Sequence, residues 1–168
     1  DKSRSGCELA WVYHYSHPAP AAVRLIGDYD TWRMAEKPTC LEFYEGLKME
    51  PDTSPQAAVW TALLDGNVDT LNRIVTDGRA GIRHRDTYCS EMRTAFGFET
   101  EIGGYRAYAL NTYRFGSLAM GEKMHEFPLC IAFAWNGRTW TVSLYSETVD
   151  VSKIANAHDD LSIMTAYL

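Results

Sequence analysis

The sequence predicts an α/β protein of the α+β type, in which a helical first lobe precedes a small mixed β-sheet lobe with flanking helices. Apolar side chains recur at helical spacing up to about residue 96, and an alternating pattern replaces this spacing after Gly97. Two dipeptides typical of β-hairpins, Gly103-Gly104 and Asn136-Gly137, occur beyond that point. The chain is therefore predicted to divide into domains at 1–96 and 97–168.

The first lobe is predicted to be mostly helical. Ser5 caps the first helix, and Glu8, three residues later, completes a capping box; this helix ends by Pro18. The second helix covers 19–26, begins around Pro20 and is broken at Gly27, so Asp28 is expected directly after a helix end. The remaining helices are predicted at 40–47, from Ser54-Pro55 to Gly66, and at 68–96 with Gly78 and Gly81 as weak points.

The second lobe is predicted to contain two hairpins and a short helix. Strands at 98–102 and 105–110 flank Gly103-Gly104, and strands at 127–135 and 139–145 flank the Asn136-Gly137 turn. Asp150 and Ser152 suit the N-terminal end of a helix over 151–157. The change of pattern near residues 95–98 is abrupt and contains no flexible linker, so we expect the lobes to pack closely.

Composition limits the classes of function. The chain has 168 residues, is 46% hydrophobic and carries a net charge of −6, which argues against a basic groove for long nucleic acid. A short anionic substrate held by a metal ion is compatible with this charge. No apolar run approaches the roughly 20 residues of a membrane span, and the N-terminus shows no signal-peptide pattern. We expect a cytoplasmic protein that does not contact a membrane.

Metal-binding and nucleophile motifs of the common kinds are missing from the sequence. Its four cysteines are widely spaced and its five histidines lack zinc-binding spacing, which favours reduced, buried thiols and surface or capping imidazoles. The arginine-rich run at 79–85 is compatible with a phosphate contact or with a solvated helical face. Four aromatic residues are compatible with base stacking or with core packing: Tyr105, Tyr108, Tyr113 and Phe115.

Asp28-Tyr29-Asp30 is the segment of the sequence that most suggests a metal-binding function. Carboxylates placed at the end of a helix or strand are the hard oxygen ligands that Mn²⁺ or Mg²⁺ prefers. The alternative is structural, with Asp28 or Asp30 capping the next turn and Trp32 packed in the core. Two carboxylates alone do not form a metal site.

Three segments in order resemble a known family. The first, 1–11, resembles the Arg-Ser-Gly helix start that follows the Asp-His-His motif of DHH-family phosphoesterases. The second, 25–32, resembles the family's later metal motif, an apolar run that ends in an acidic residue and a tryptophan. The third, 140–155, resembles the DHH-associated domain. Together they identify the chain with the end of the DHH domain, a helical connector and a DHH-associated domain.

The resemblance implies a phosphoesterase in which two Mn²⁺ (or Mg²⁺) ions activate water against a phosphodiester or phosphoanhydride. It implies that Asp28 is a metal ligand, with Asp30 as the fallback if the register is shifted. It also implies that Arg4 and Ser5 contact phosphate at a helix N-terminus, and that Ser143 and Ser146 line the substrate cleft.

The sequence departs from the family pattern at both ends. The Asp-x-Asp and Asp-His-His motifs are absent from it, and we expect them in a missing upstream segment or in a companion chain. After His158, where the family has a glycine-rich loop, stands Asp159-Asp160, and two carboxylates repel phosphate. Catalytic residues are therefore not assigned, and enzymatic activity of this chain is left open.

Three functions follow as hypotheses. The first is a portion of a phosphoesterase for short oligonucleotides or signalling nucleotides, with little activity alone. The second is a non-catalytic nucleotide-binding module. The third is a structural or assembly partner of a chain that supplies the missing motifs, and a homodimer is left open beside it.

Overall fold

A computed structural model describes residues 4–34, 37–156 and 162–165, the last of these as backbone only. It confirms an α+β fold with a helical lobe followed by a small mixed sheet. The chain forms two compact units, 1–84 and 85–168, and the long fifth helix belongs to both. Among the described helices, none combines the length and apolar composition that a membrane span requires.

The helices of the first unit are α1 (Gly6–His14), α2 (Ala21–Asp30), α3 (Thr39–Leu47), α4 (Ala58–Leu64) and the first part of α5 (Val68–Phe96). The predicted capping box is confirmed, since the Ser5 side chain accepts from the Glu8 N–H while the Glu8 carboxylate accepts from the Ser5 N–H. The core of this unit lies between α2, α3, α4 and α5 and is centred on Phe43, Leu63 and Ile74.

Two helix boundaries differ from the prediction. The helix predicted to open at Ser54-Pro55 begins only at Ala58, because the Ala57 N–H closes a separate turn on the Ser54 carbonyl and Ala57 itself is extended. The predicted break at Gly27 is wrong, because α2 continues to Asp30. Glycine serves packing at this position, since a Cβ on Gly27 would lie 2.6 Å from the Glu8 carboxylate of α1.

The second unit is a five-stranded sheet in the order β1–β2–β3–β4–β5. Its elements are β1 (Gly97–Ile102), β2 (Tyr105–Asn111), α6 (Lys123–Glu126), β3 (Leu129–Trp135), β4 (Trp140–Tyr145), α7 (Val151–Asn156) and β5 (Ser162–Thr165). Both predicted hairpins are confirmed as antiparallel pairs, while the β2–β3 and β4–β5 pairs are parallel. Gly103 and Gly104 both have positive φ, as the tight turn between β1 and β2 requires.

Each face of this sheet has its own core. On one face, the end of α5 and the connection from β2 to β3 cover Tyr108, Leu110 and Cys130. On the other, Val151 and Ile154 of α7 pack on Ala109, Ile131 and Leu144. Side chains alternate between the two faces along β2, β3 and β4. The first face is left open toward the C-terminal end of β3, and a cavity lies there.

Candidate functional site

Asp28 lies in the last turn of α2 and is buried, with 6% of its surface exposed. The Nζ of Lys37 lies 3.0 Å from its Oδ1 and donates a hydrogen bond to it. The Nε of Arg33 also lies 3.0 Å from Oδ1, but makes no hydrogen bond, so this second contact is an ion pair only. The Asp28 carboxylate is therefore the counter-ion of two cations.

The end of α2 explains why Arg33 reaches Asp28. Trp32 adopts a left-handed conformation with φ of 57°, and the Arg33 N–H donates to the Asp28 carbonyl at 2.9 Å. The Trp32 N–H donates to the Tyr29 carbonyl, which completes a Schellman motif. This turn reverses the chain and brings the Arg33 side chain back over the helix that it has just left.

Ser5 and Asp28 belong to one network in the first unit. Glu8 accepts from the backbone N–H and the hydroxyl of Ser5, at 2.9 and 3.1 Å, and its Oε2 lies 3.5 Å from Arg33. A cavity of about 230 Å³ adjoins Glu8, Arg24, Asp28, Arg33 and Lys37. Arg4 is exposed, and the hydroxyl of Ser5 is engaged with Glu8 within the capping box.

The donor set around Asp28 does not fit a two-metal centre. No group of three or more ligating side chains occurs in the part of the chain that the structure describes. Asp30, the fallback ligand, is exposed at the end of α2. A role of Asp28 or Asp30 as a metal ligand stays a prediction from the resemblance, and a cation entering there would have to displace Arg33 and Lys37 from Asp28.

A larger cavity, of about 500 Å³, lies on the open face of the second unit's sheet. Its size falls within the range of about 300–1,000 Å³ typical of small-molecule sites. Its floor is formed by Ala132 and Ala134 of β3 and by Thr141, Ser143 and Tyr145 of β4. The rim comprises Thr112, Tyr113, Arg114, Gly116, Trp135 and Asn136. No carboxylate is present among these described lining residues.

The register of the β3–β4 pair accounts for the open space of this cavity. Ala132 pairs with Ser143 and Ala134 with Thr141, while Cys130 pairs with Tyr145. Small side chains on β3 therefore leave open space beside hydroxyl-bearing side chains on β4. The intervening residues, Phe133 and Val142, belong to the core of the opposite face.

The loop after β2 presents two side chains at the rim. Thr112 stabilises the conformation of this loop, because its Oγ1 accepts a hydrogen bond from the Arg114 N–H at 3.3 Å. Phe115 is left-handed, with φ of 69°, and its ring packs against Tyr88 of α5. The Arg114 guanidinium lies 5.1 Å from the centre of the Phe115 ring and pairs with no described carboxylate. Tyr113 is 84% exposed. A cation with no carboxylate partner among the described residues and an exposed aromatic ring therefore lie together at the rim.

The structure separates the two serines predicted to line a cleft. Ser143 lies in the floor of the cavity. Ser146 is buried in the turn after β4, where its Oγ donates to the Pro128 carbonyl at 2.7 Å and accepts from the N–H groups of Thr148 and Val149. A hydroxyl has one donor and two acceptor sites, so all of those of Ser146 are used.

The four aromatic residues singled out as base-stacking or core residues divide similarly. Tyr108 is buried on the sheet, with its hydroxyl donating to the Arg93 carbonyl, and Phe115 packs on α5. Only Tyr113 of this series lines the cavity. Cys130 is the cross-strand partner of Tyr145, and burial raises the pKa of its thiol to about 11, so this thiol stays protonated at neutral pH.

Sequence reasoning missed Arg114, Thr141 and Tyr145 as cavity residues. The signal for the two β4 residues was present, since Thr141, Ser143 and Tyr145 alternate with Val142 and Leu144. Arg114 had no such signal, because only the fold of the loop brings it to the sheet.

No protein-family model, no curated protein and no solved structure matches this chain. The resemblance to DHH-family phosphoesterases therefore stays a prediction, and the assignment of function depends on the geometry of the chain itself.

Proposed function

We propose that the second unit is a nucleotide-binding module and that its ligand occupies the cavity on the open face of the sheet. One observation carries this proposal: an arginine with no described carboxylate partner and an exposed tyrosine border a floor of hydroxyls and alanines, and the described lining contains no carboxylate. Such a set suits a ligand with a phosphate, a flat base and a hydroxyl-bearing sugar.

Arg114 is the group that we assign to the phosphate. Its side chain pairs with no described acidic residue, and the guanidinium is always charged and matches phosphate oxygens in a bidentate manner. Although the chain has a net charge of −6, the described wall of this cavity carries one cation and no carboxylate, which favours an anionic ligand there. Contacts to a single phosphate group fit this arrangement better than a track for a long polymer.

Tyr113 is the group that we assign to the base. Stacking of a base on an aromatic ring contributes about 1–3 kcal/mol and tolerates any base, because every base has a π-face. With 84% of its surface exposed, the Tyr113 ring has a face available for such a contact. We expect mononucleotides and the ends of short oligonucleotides as ligands. Hydrolysis of such ligands, by Mn²⁺ at Asp28, stays a prediction of the resemblance alone.

The cytoplasm is the compartment that we propose for this module. All four cysteines, Cys7, Cys40, Cys89 and Cys130, are free thiols, which suits a reducing environment.

Isothermal titration calorimetry with AMP, a cyclic dinucleotide and a trinucleotide tests the proposal. We expect binding of at least one of them. We expect Arg114→Gln to weaken it about 10-fold, which corresponds to the loss of one charge-assisted hydrogen bond of about 1.4 kcal/mol. Tyr113→Ala should weaken it by a similar factor.

Arg138→Gln is the matched control. Arg138 lies in the neighbouring β3–β4 turn, is exposed, and does not line the cavity. The Arg138→Gln variant removes one positive charge at the same end of the sheet as Arg114→Gln does. An equal loss of affinity in this variant would indicate nonspecific electrostatic attraction of the nucleotide. Absence of heat with every nucleotide would overturn the proposal.

A further inference from the structure

Three hydroxyl groups stand in a row along β4, on the face that carries the cavity. Thr141, Ser143 and Tyr145 occupy alternate positions of this strand, so their side chains lie on the same side of the sheet. None of these hydroxyls makes a hydrogen bond with the described residues. Tyr145 is only 7% exposed, yet its hydroxyl is open to the cavity. Thr141 and Ser143 are half-buried and all three residues line the cavity, so their hydroxyls are available to a ligand as donors and acceptors.

The floor has little other hydrogen-bonding capacity. The facing residues on β3 are two alanines and Cys130, whose thiol donates to the Lys123 carbonyl. The backbone groups of β4 are shared with β3 and β5 in the sheet. Among the residues whose side chains the structure describes, polar recognition at the floor is therefore confined to the three hydroxyls of β4.

The hydroxyl row favours one part of a nucleotide over the others. Side chains that read base edges are commonly amides or charged groups with fixed donors and acceptors. The one amide of the lining, Asn136, is engaged in its own turn, where Oδ1 accepts from two backbone N–H groups and Nδ2 donates to Thr139. Hydroxyls donate and accept alike, which matches the hydroxyls of a sugar.

The position of Tyr145 fits a sugar placed between the floor and the rim. Its hydroxyl lies 3.7 Å from where a Cβ on Gly116 would stand, so it reaches from the floor to the loop that carries Arg114. A nucleotide whose sugar is hydrogen-bonded to this row would have its phosphate near Arg114 and its base near the exposed ring of Tyr113.

We infer that the row of Thr141, Ser143 and Tyr145 recognises the sugar hydroxyls of the ligand, so that the cavity selects ribonucleotides over deoxyribonucleotides. This inference rests on the proposed function. The 2′-hydroxyl is the group that distinguishes the two ligand classes. One or two hydrogen bonds to it change affinity about 10-fold.

Calorimetry with AMP and dAMP, repeated with CMP and dCMP, tests the inference on the full chain. The wild type should bind each ribonucleotide about 10-fold more tightly than its deoxy counterpart. Ser143→Ala and Tyr145→Phe should each lower the affinity for the ribonucleotides about 2- to 10-fold, and should lower the affinity for the deoxyribonucleotides, which keep the 3′-hydroxyl, by a smaller factor. The preference for ribose should shrink in both variants.

Ser152→Ala serves as the control, because Ser152 lies on α7 and its hydroxyl donates to Asp150 outside the cavity. This variant should keep the ribose preference. Circular dichroism checks that each variant is folded. If Tyr145→Phe is destabilised, the comparison depends on Ser143→Ala alone, because Ser143 is only half-buried. Equal binding of AMP and dAMP by the wild type would overturn the ribose selectivity but not the proposed nucleotide binding. If neither ligand binds, the proposed nucleotide binding itself is overturned.

Discussion

Asp28 and Arg33 contact each other twice, once through the backbone and once through their side chains. The Arg33 N–H donates to the Asp28 carbonyl at 2.9 Å, and the Arg33 Nε lies 3.0 Å from the Asp28 Oδ1. The backbone contact fixes the end of α2, and the ion pair places a positive charge over the last turn of that helix, where it is favourable. A short segment of chain is therefore stabilised by geometry and by charge together.

Asp28→Asn should destabilise the first unit by about 1–3 kcal/mol. The substitution retains the backbone contact but leaves Arg33 and Lys37 without their shared counter-ion. Urea unfolding measures the change. Asp30→Asn is the control, since Asp30 is exposed on the same helix and should have a smaller effect. A midpoint shift upon Mn²⁺ addition that Asp28→Asn abolishes would instead support a metal-binding role for this carboxylate.

Trp32→Gly should raise stability by about 1 kcal/mol. Trp32 is left-handed, with φ of 57°, and 69% of its surface is exposed, so glycine relieves backbone strain while little packing is lost. Thermal unfolding measures the effect. Trp32→Ala removes the ring but keeps the Cβ, so an equal gain in that variant would show that the backbone conformation is not the cause.

Gly78→Ala should destabilise the first unit by about 2 kcal/mol or more. A Cβ at Gly78 of α5 would lie 1.7 Å from the Glu42 carbonyl oxygen of α3, so the two helices would have to separate. This loss outweighs the gain of about 1 kcal/mol in helix propensity. Gly6→Ala is the comparison, because a Cβ at Gly6 meets nothing within 4 Å. Equal stability of both variants would contradict the close helix contact.

Ser146→Ala and Ser143→Ala should differ in stability. Ser146 makes three hydrogen bonds in its turn, two of them to backbone N–H groups, and its loss should lower the free energy of unfolding by about 1–3 kcal/mol. Ser143 makes none with the described residues, so its replacement should change stability by less than about 0.5 kcal/mol. Parallel urea titrations of both variants decide the point.

The Cys130 thiol should contribute to alkaline unfolding. Burial raises its pKa from 9.0 to about 11, so the folded state binds the proton more tightly than the unfolded state. Its stabilising contribution is fully present below pH 9 and decreases as the pH rises, by about 2 kcal/mol at pH 11. Cys130→Ala should flatten the decrease in stability between pH 9 and pH 11, and an unchanged slope would contradict this assignment.

Several features could be predicted from the sequence because the physics behind them is local. Ser5 and Glu8 form their capping box within one turn of helix, and Gly103-Gly104 form a turn that few other residues can adopt. The change from helical to alternating spacing at Gly97 coincides with the end of α5 and the start of β1. The fold class follows from such patterns, which do not depend on distant neighbours.

Other features depend on how the chain folds back on itself, and only the tertiary structure decided them. Gly27 has the pattern of a helix breaker, but it lies inside a continuous α2 against which α1 packs, and the carboxylate of Asp28, which the sequence predicts as a metal ligand, is paired with Arg33 and Lys37. The candidate site has the same origin. Ala132 meets Ser143 only through the register of β3 with β4, and Arg114 reaches the rim only because Thr112 and Phe115 fix its loop. Helix and turn propensities depend on residues that are neighbours in the sequence. Strand register and helix packing depend instead on which apolar side chains are buried between different segments of the chain.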